Sequence, residues 1–143
     1  MSIIKNIKGK LLLCISALLF SATSIAGVAV IVNSANIATI SEDDVSRIFL
    51  GKIKAFSTGD TITIVNLEYN NATRNAFEEK VLNKKASQVK AYWSKLMFSG
   101  KGKPPKELAS DKDILVFVAA NPGAIGYVAE GNVDSTVKVV KTF

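Results

Sequence analysis

The stretch Thr61-Ile62-Thr63-Ile64-Val65-Asn66-Leu67-Glu68-Tyr69-Asn70-Asn71-Ala72-Thr73-Arg74-Asn75-Ala76-Phe77 decides the fold. Thr61 to Leu67 is rich in β-branched residues and alternates in its first half, as a strand does. Glu68-Tyr69-Asn70-Asn71 is a short connection, and a helix starts near Ala72 or Thr73. Ala76, Phe77, Val81 and Leu82 turn inward on that helix, and Asn83-Lys84-Lys85 breaks it. A strand running straight into a helix is the unit of an α/β layer.

The flanks extend the pattern. Val28-Ala29-Val30-Ile31-Val32 is a continuous apolar run bounded by Asn33-Ser34, which reads as a buried strand. Ser41 caps a helix with Glu42, Asp43 and Asp44 in its first turn, where carboxylates suit the positive end of the dipole. Val45, Ile48 and Phe49 face the core, and Gly51 stops the helix. Ser87 is predicted to cap the next helix, whose stripe of Val89, Tyr92, Trp93, Leu96 and Met97 recurs at helical spacing and reads first as core. Ser99-Gly100-Lys101-Gly102-Lys103-Pro104-Pro105-Lys106 is a basic loop. It lacks Gly-Lys-Ser/Thr, and two prolines stand where a helix should begin, so it is not a phosphate-binding Walker loop. Ser110 caps a last helix with Leu115, Val118 and Ala119 on its inner face, ended by Asn121-Pro122-Gly123. Ala124 to Val128 and Val137 to Val140 are strands, the latter at an edge. The order β-α-β-α-α-α-β-β gives an α/β fold with a mixed sheet flanked by helices.

Composition excludes much chemistry. The 143 residues contain no His and a single Cys, Cys14. Ser-His-Asp and Cys-His nucleophilic sites are excluded. The donors of zinc and copper sites are missing too, so no metal and no cofactor is expected. Of the acidic residues, Glu78-Glu79 reads as a solvated helix face, and no carboxylate pair stands out for acid–base work. The chain is therefore not expected to be an enzyme.

Lys5, Lys8 and Lys10 precede the apolar run Leu11 to Phe20, and Ser24-Ile25-Ala26 supplies a small-x-small site. This is the layout of a cleavable export signal, 1–26. The expected mature domain, 27–143, is a single unit of ordinary size in the periplasm. Taking those three lysines from 18 basic residues leaves 15 against 12 acidic ones, a charge of +3, too mild to suggest nucleic acid.

Two surfaces stand out. The first is Asn70, Asn71, Ala72, Thr73 and Arg74 at the strand-to-helix junction. Free N–H groups at a helix start attract anions. Thr73 adds a hydroxyl and Arg74 a bidentate fork for phosphate or carboxylate. The same residues also fit simple capping and an ordinary carboxylate-paired arginine. The second is Trp93 with Lys101, Lys103 and Lys106, a docking face for a partner, for which a solvated loop is the alternative.

Three stretches resemble one family: Ile48-Phe49-Leu50-Gly51-Lys52-Ile53, the strand and helix from Ile62 to Phe77, and Asn121-Pro122-Gly123-Ala124-Ile125-Gly126-Tyr127-Val128. Their order and spacing are similar to the phosphate-binding periplasmic component of phosphate ABC importers, in the type II periplasmic binding protein superfamily. The resemblance implies one lobe of a two-lobed clamshell, and Ala91 to Pro105 looks like a short, single-lobe branch. Members hold phosphate with an Arg four residues before a Ser-Gly-Thr triplet. Here those positions read Leu67 and Asn71-Ala72-Thr73, so only Thr73 matches. Arg74 corresponds to an Arg that follows the triplet in many relatives. Loss of the clamp Arg removes a contact of ~1.5–3 kcal/mol. One lobe also offers one wall, whereas small-ligand sites bury ~70–90% of the ligand.

The expectation is a periplasmic substrate-binding-like protein that recognises inorganic phosphate or a related oxyanion weakly, or with a homodimer mate or partner protein closing the site. The alternative is a ligand-less adaptor for an envelope sensor or membrane transporter.

Overall fold

The computed structural model describes residues 27–143, so the expected export segment, 1–26, lies outside the described residues. The elements are β1 (Val28–Asn33), α1 (Glu42–Phe49), β2 (Thr63–Leu67), α2 (Ala72–Val81), α3 (Ala86–Phe98), β3 (Lys106–Leu108), α4 (Asp111–Ala120), β4 (Ala124–Ala129), a 3-10 turn (Glu130–Asn132) and β5 (Val137–Thr142). They form a mixed five-stranded sheet in the order β3-β2-β4-β1-β5. β2 is parallel to β3 and β4, and β1 is antiparallel to β4 and β5. Among the described residues no helix is long and apolar enough to cross a membrane.

Alternation along the strands sorts the helices into two layers. Asn66 and Tyr127 meet each other on the face covered by α2. Val65 and Gly126 point to the opposite face, against Ile114 and Val118 of α4. The first layer is held by three aromatic rings. Phe77 of α2 stacks on Tyr127 at 3.9 Å between centroids, and Phe49 of α1 meets Phe77 edge-on at 4.7 Å. Such pairs add about 0.5–1.5 kcal/mol each beyond their burial.

The caps follow the sequence. Ser41 and Asp44 form a reciprocal capping box, and Ser110 accepts from the Asp113 amide. Asn33, at the end of β1, donates to the carbonyls of Val118 and Ala119 at 2.9 Å each, which ties β1 to α4.

Two of the three stretches that carry the family resemblance, Ile48 to Ile53 and Asn121 to Val128, have a packing cause. Gly51 has φ +72°, and a Cβ there would stand 2.9 Å from the Trp93 ring, so α1 ends directly under α3. Tyr92 reinforces the junction by donating to the Leu50 carbonyl at 2.7 Å. A Cβ at Gly123 would come within 2.6 Å of the Thr61 carbonyl, and one at Gly126 within 2.9 Å of Ile114 and Val65.

Four expectations need correction. Lys106–Leu108 is a strand, β3, where only a loop was expected; it lies parallel to β2. Strand β2 begins at Thr63, because Thr61 instead bridges to Ala55. Helix α3 is capped at Lys85, two residues before Ser87, with Gln88 returning to the Lys85 amide. On α4 the inner face is Ile114, Leu115 and Val118, and Ala119 is exposed. The expected edge strand, β5, does lie at an edge.

Gly126→Val should destabilise the fold by about 1–3 kcal/mol, since the added methyls have to displace Ile114 and Val65. Urea denaturation against the unmodified chain measures this; an unchanged midpoint would refute the close-packing role.

Candidate functional site

Strand β2 ends at Leu67, and the chain turns through Asn70, whose φ of +67° is a left-handed conformation that asparagine tolerates. Asn71 then caps α2. Its side-chain oxygen accepts from the Thr73 amide at 2.9 Å and the Arg74 amide at 3.2 Å. Two of the amides that the sequence offered to an anion, those of Thr73 and Arg74, are thus engaged by the chain itself.

Arg74 is also engaged. It is 4% exposed. Its Nε donates to Glu78 Oε1 at 2.5 Å, one helical turn on. Its Nη1 donates to the Leu67 carbonyl at 2.8 Å and to Glu107 Oε1 at 2.7 Å. One guanidinium therefore joins the end of β2, the body of α2 and strand β3. Beside it, the Tyr127 hydroxyl donates to Asn66 and accepts from the Leu67 amide. Burial pushes the Tyr127 phenol far above its ordinary value, so it stays neutral.

Glu78 differs from the solvated residue expected. Its side chain is 1% exposed, and Oε2 has no hydrogen-bond partner among the described residues. Burial raises its pKa above the usual carboxylate range, and the opposing pull of Arg74 only partly offsets this. Glu107 is the accessible carboxylate, 46% exposed.

Arg74 and Glu107 lie at the side of a cleft of about 300 Å³. Its walls come from Tyr69, Trp93, Met97, Pro104 and Pro105, with Lys90 at the rim and Asn66 beneath. Lys90 Nζ sits 4.9 Å from the Tyr69 ring centre. Of the five junction residues only Arg74 lines this cleft. Asn71 lines a separate recess with Ser110 and Asp111, and Asn70, Ala72 and Thr73 line neither.

The four residues read as a partner face do not form one surface. Trp93 is 7% exposed, tucked against Gly51 and Gly102, with part of it forming cleft wall. Lys101 and Lys103 are exposed on the loop above it. Lys106 lies over the Phe117 ring of α4, on the far side of the sheet, because it alternates with Glu107 along β3. Met97, read as core, is 57% exposed, and Phe98 beside it is 98% exposed.

No family model matches the chain, and no curated protein matches it in sequence. Solved structures do match in shape. A phosphate transport receptor of the ABC type from Vibrio cholerae aligns with TM-score 0.64 at 22% identity, over 81% of this chain and 46% of that one. This is the fold of one binding-protein lobe. A protein from Clostridium perfringens, described as a phosphate ABC transporter substrate-binding protein with bound phosphate, aligns with TM-score 0.61 at 26% identity, over 82% and 46%. PstS from Borrelia burgdorferi aligns with TM-score 0.60 at 14% identity, over 81% and 47%. The chain spans under half the length of each of these proteins, as a single-lobe relative does.

Arg74→Met should destabilise the chain by about 3–5 kcal/mol, because it strands the buried Glu78 carboxylate. Adding Glu78→Leu should restore most of that loss; chemical denaturation of the single and double variants measures the coupling.

Glu78 also sets a pH slope. Its native pKa is raised, so its contribution to stability is complete below the usual carboxylate range and is lost as pH rises through the raised value. Glu78→Gln should flatten that segment of the stability-versus-pH curve, and an unchanged slope would contradict the assignment.

Proposed function

We propose that this chain is a periplasmic docking lobe. It uses the cleft between α3, β3 and the start of α2 to engage another envelope protein, such as a transporter or sensor component, and does not carry free phosphate. The observation that carries this reading is the engagement of Arg74. An oxyanion needs unshared donors, and here Nε and Nη1 already serve two carboxylates and a carbonyl, which leaves only Nη2 without an acceptor among the described residues. Glu78 and Glu107 already balance the charge of Arg74, so the guanidinium offers little net attraction to a further anion. The mostly apolar walls suit a side chain better than a phosphate.

A second reading, weak oxyanion recognition, is favoured by the Clostridium perfringens relative, whose structure has phosphate bound. In that reading a second copy or a partner supplies the opposite wall. Non-enzymatic function fits both readings.

Calorimetry with inorganic phosphate separates them. The unmodified chain should show no binding tighter than millimolar. Glu107→Ala frees Nη1 toward the cleft and should gain about tenfold or more in phosphate affinity, the value of one charge-assisted hydrogen bond. Micromolar phosphate binding by the unmodified chain, abolished in Arg74→Lys, would overturn the docking reading in favour of the oxyanion one.

A further inference from the structure

We propose that the occupant of the cleft is an acidic peptide segment of a partner protein, with one large apolar side chain inserted between Trp93 and the Pro104-Pro105 wall. The proposal rests on the docking reading and names the partner's chemistry.

Three observations carry it. The first is size and lining. A cleft of about 300 Å³ walled by Tyr69, Trp93, Met97 and two prolines admits one bulky side chain, the usual form of an interface anchor. Met97 on that wall is itself exposed, and Phe98 beside it in sequence is the most exposed large hydrophobic residue of the described chain.

The second is charge. Lys90 stands at the rim, and Lys101 and Lys103 are exposed on the loop that leads into the Pro104-Pro105 wall. Across that wall and rim, the accessible carboxylate is Glu107. Positive potential around an apolar socket favours a partner with acidic residues flanking its anchor.

The third is polarity at the side of the cleft. Glu107, with an acceptor oxygen, and Asn66, with an amide group, lie beside Arg74. Together they can meet both the N–H and the C=O of a peptide backbone. A lipid surface does not enter a concave socket of this size, so a peptide is favoured over a membrane.

The test selects a random octapeptide display library on the immobilised chain at low salt. Selected peptides are then titrated by the emission of Trp93, the sole tryptophan. Enriched peptides should carry Asp or Glu around one Phe, Leu, Met or Trp. Their affinity should fall roughly tenfold at about 0.5 M salt and roughly tenfold in Lys101→Glu/Lys103→Glu. Both lysines are exposed, so this variant should keep its fold, and circular dichroism checks it.

Enrichment of neutral or basic peptides, or equal binding by the charge-reversed variant, would overturn the acidic partner while leaving docking intact. A larger Trp93 response to phosphatidylglycerol vesicles than to any peptide would overturn it in favour of a membrane. No enrichment over blank support would overturn both the inference and the docking reading.

Discussion

A buried guanidinium organises the edge of this molecule. Taking an arginine out of water is costly unless its N–H groups are satisfied and its charge is balanced. Arg74 meets that demand with one partner from each neighbouring element: Glu78 on its own helix, the last carbonyl of β2, and Glu107 on β3. The requirement explains why a strand of only three residues is held in the sheet. β3 has little apolar area of its own, and its pairing with β2 is reinforced by the Arg74–Glu107 contact. Tyr127 and Asn66 continue the network inward, and the Phe77–Tyr127 stack fixes α2 over it.

The layered core was legible because its signals are local and periodic. The run Val28 to Val32, the capped start of α1 at Ser41 and the capped start of α4 at Ser110 each declare themselves within a few residues. The short strand β3 was not legible. Lys-Glu-Leu after two prolines has no period to read, and its place depends on a contact 33 residues away in sequence. Glu78 was half-legible. Its i,i+4 spacing from Arg74 is the signature of a helical ion pair, yet burial of such a pair depends on what covers the helix, which spacing cannot reveal. The stripe on α3 failed at Met97 for a related reason: it faces a cleft, where the packing partner expected from periodicity is missing.

The junction shows how one set of residues satisfies two different demands. Asn71, Thr73 and Arg74 are the residue types that build an anion cradle, and they also build a well-capped helix whose arginine is paired. Sequence alone left both open. The geometry favours the second, because the Asn71 side chain takes the Thr73 and Arg74 amides and two carboxylates take the guanidinium.

In a two-lobed protein a ligand and a second lobe can together shield and neutralise a basic site. A chain spanning under half of such proteins has neither within its own described residues. An arginine left at the cleft edge would then be either solvated, giving up its hold on β2, or buried without compensation. Glu107 resolves this by standing where an external acceptor would stand, while its 46% exposure keeps it displaceable. Glu78, buried behind it on the same helix as Arg74, is the fixed partner of the guanidinium. The division of roles between a fixed and a displaceable counter-charge keeps the edge of the lobe folded around Arg74, and leaves the apolar wall of α3 and the lysines above it outside that network, as the proposed docking requires.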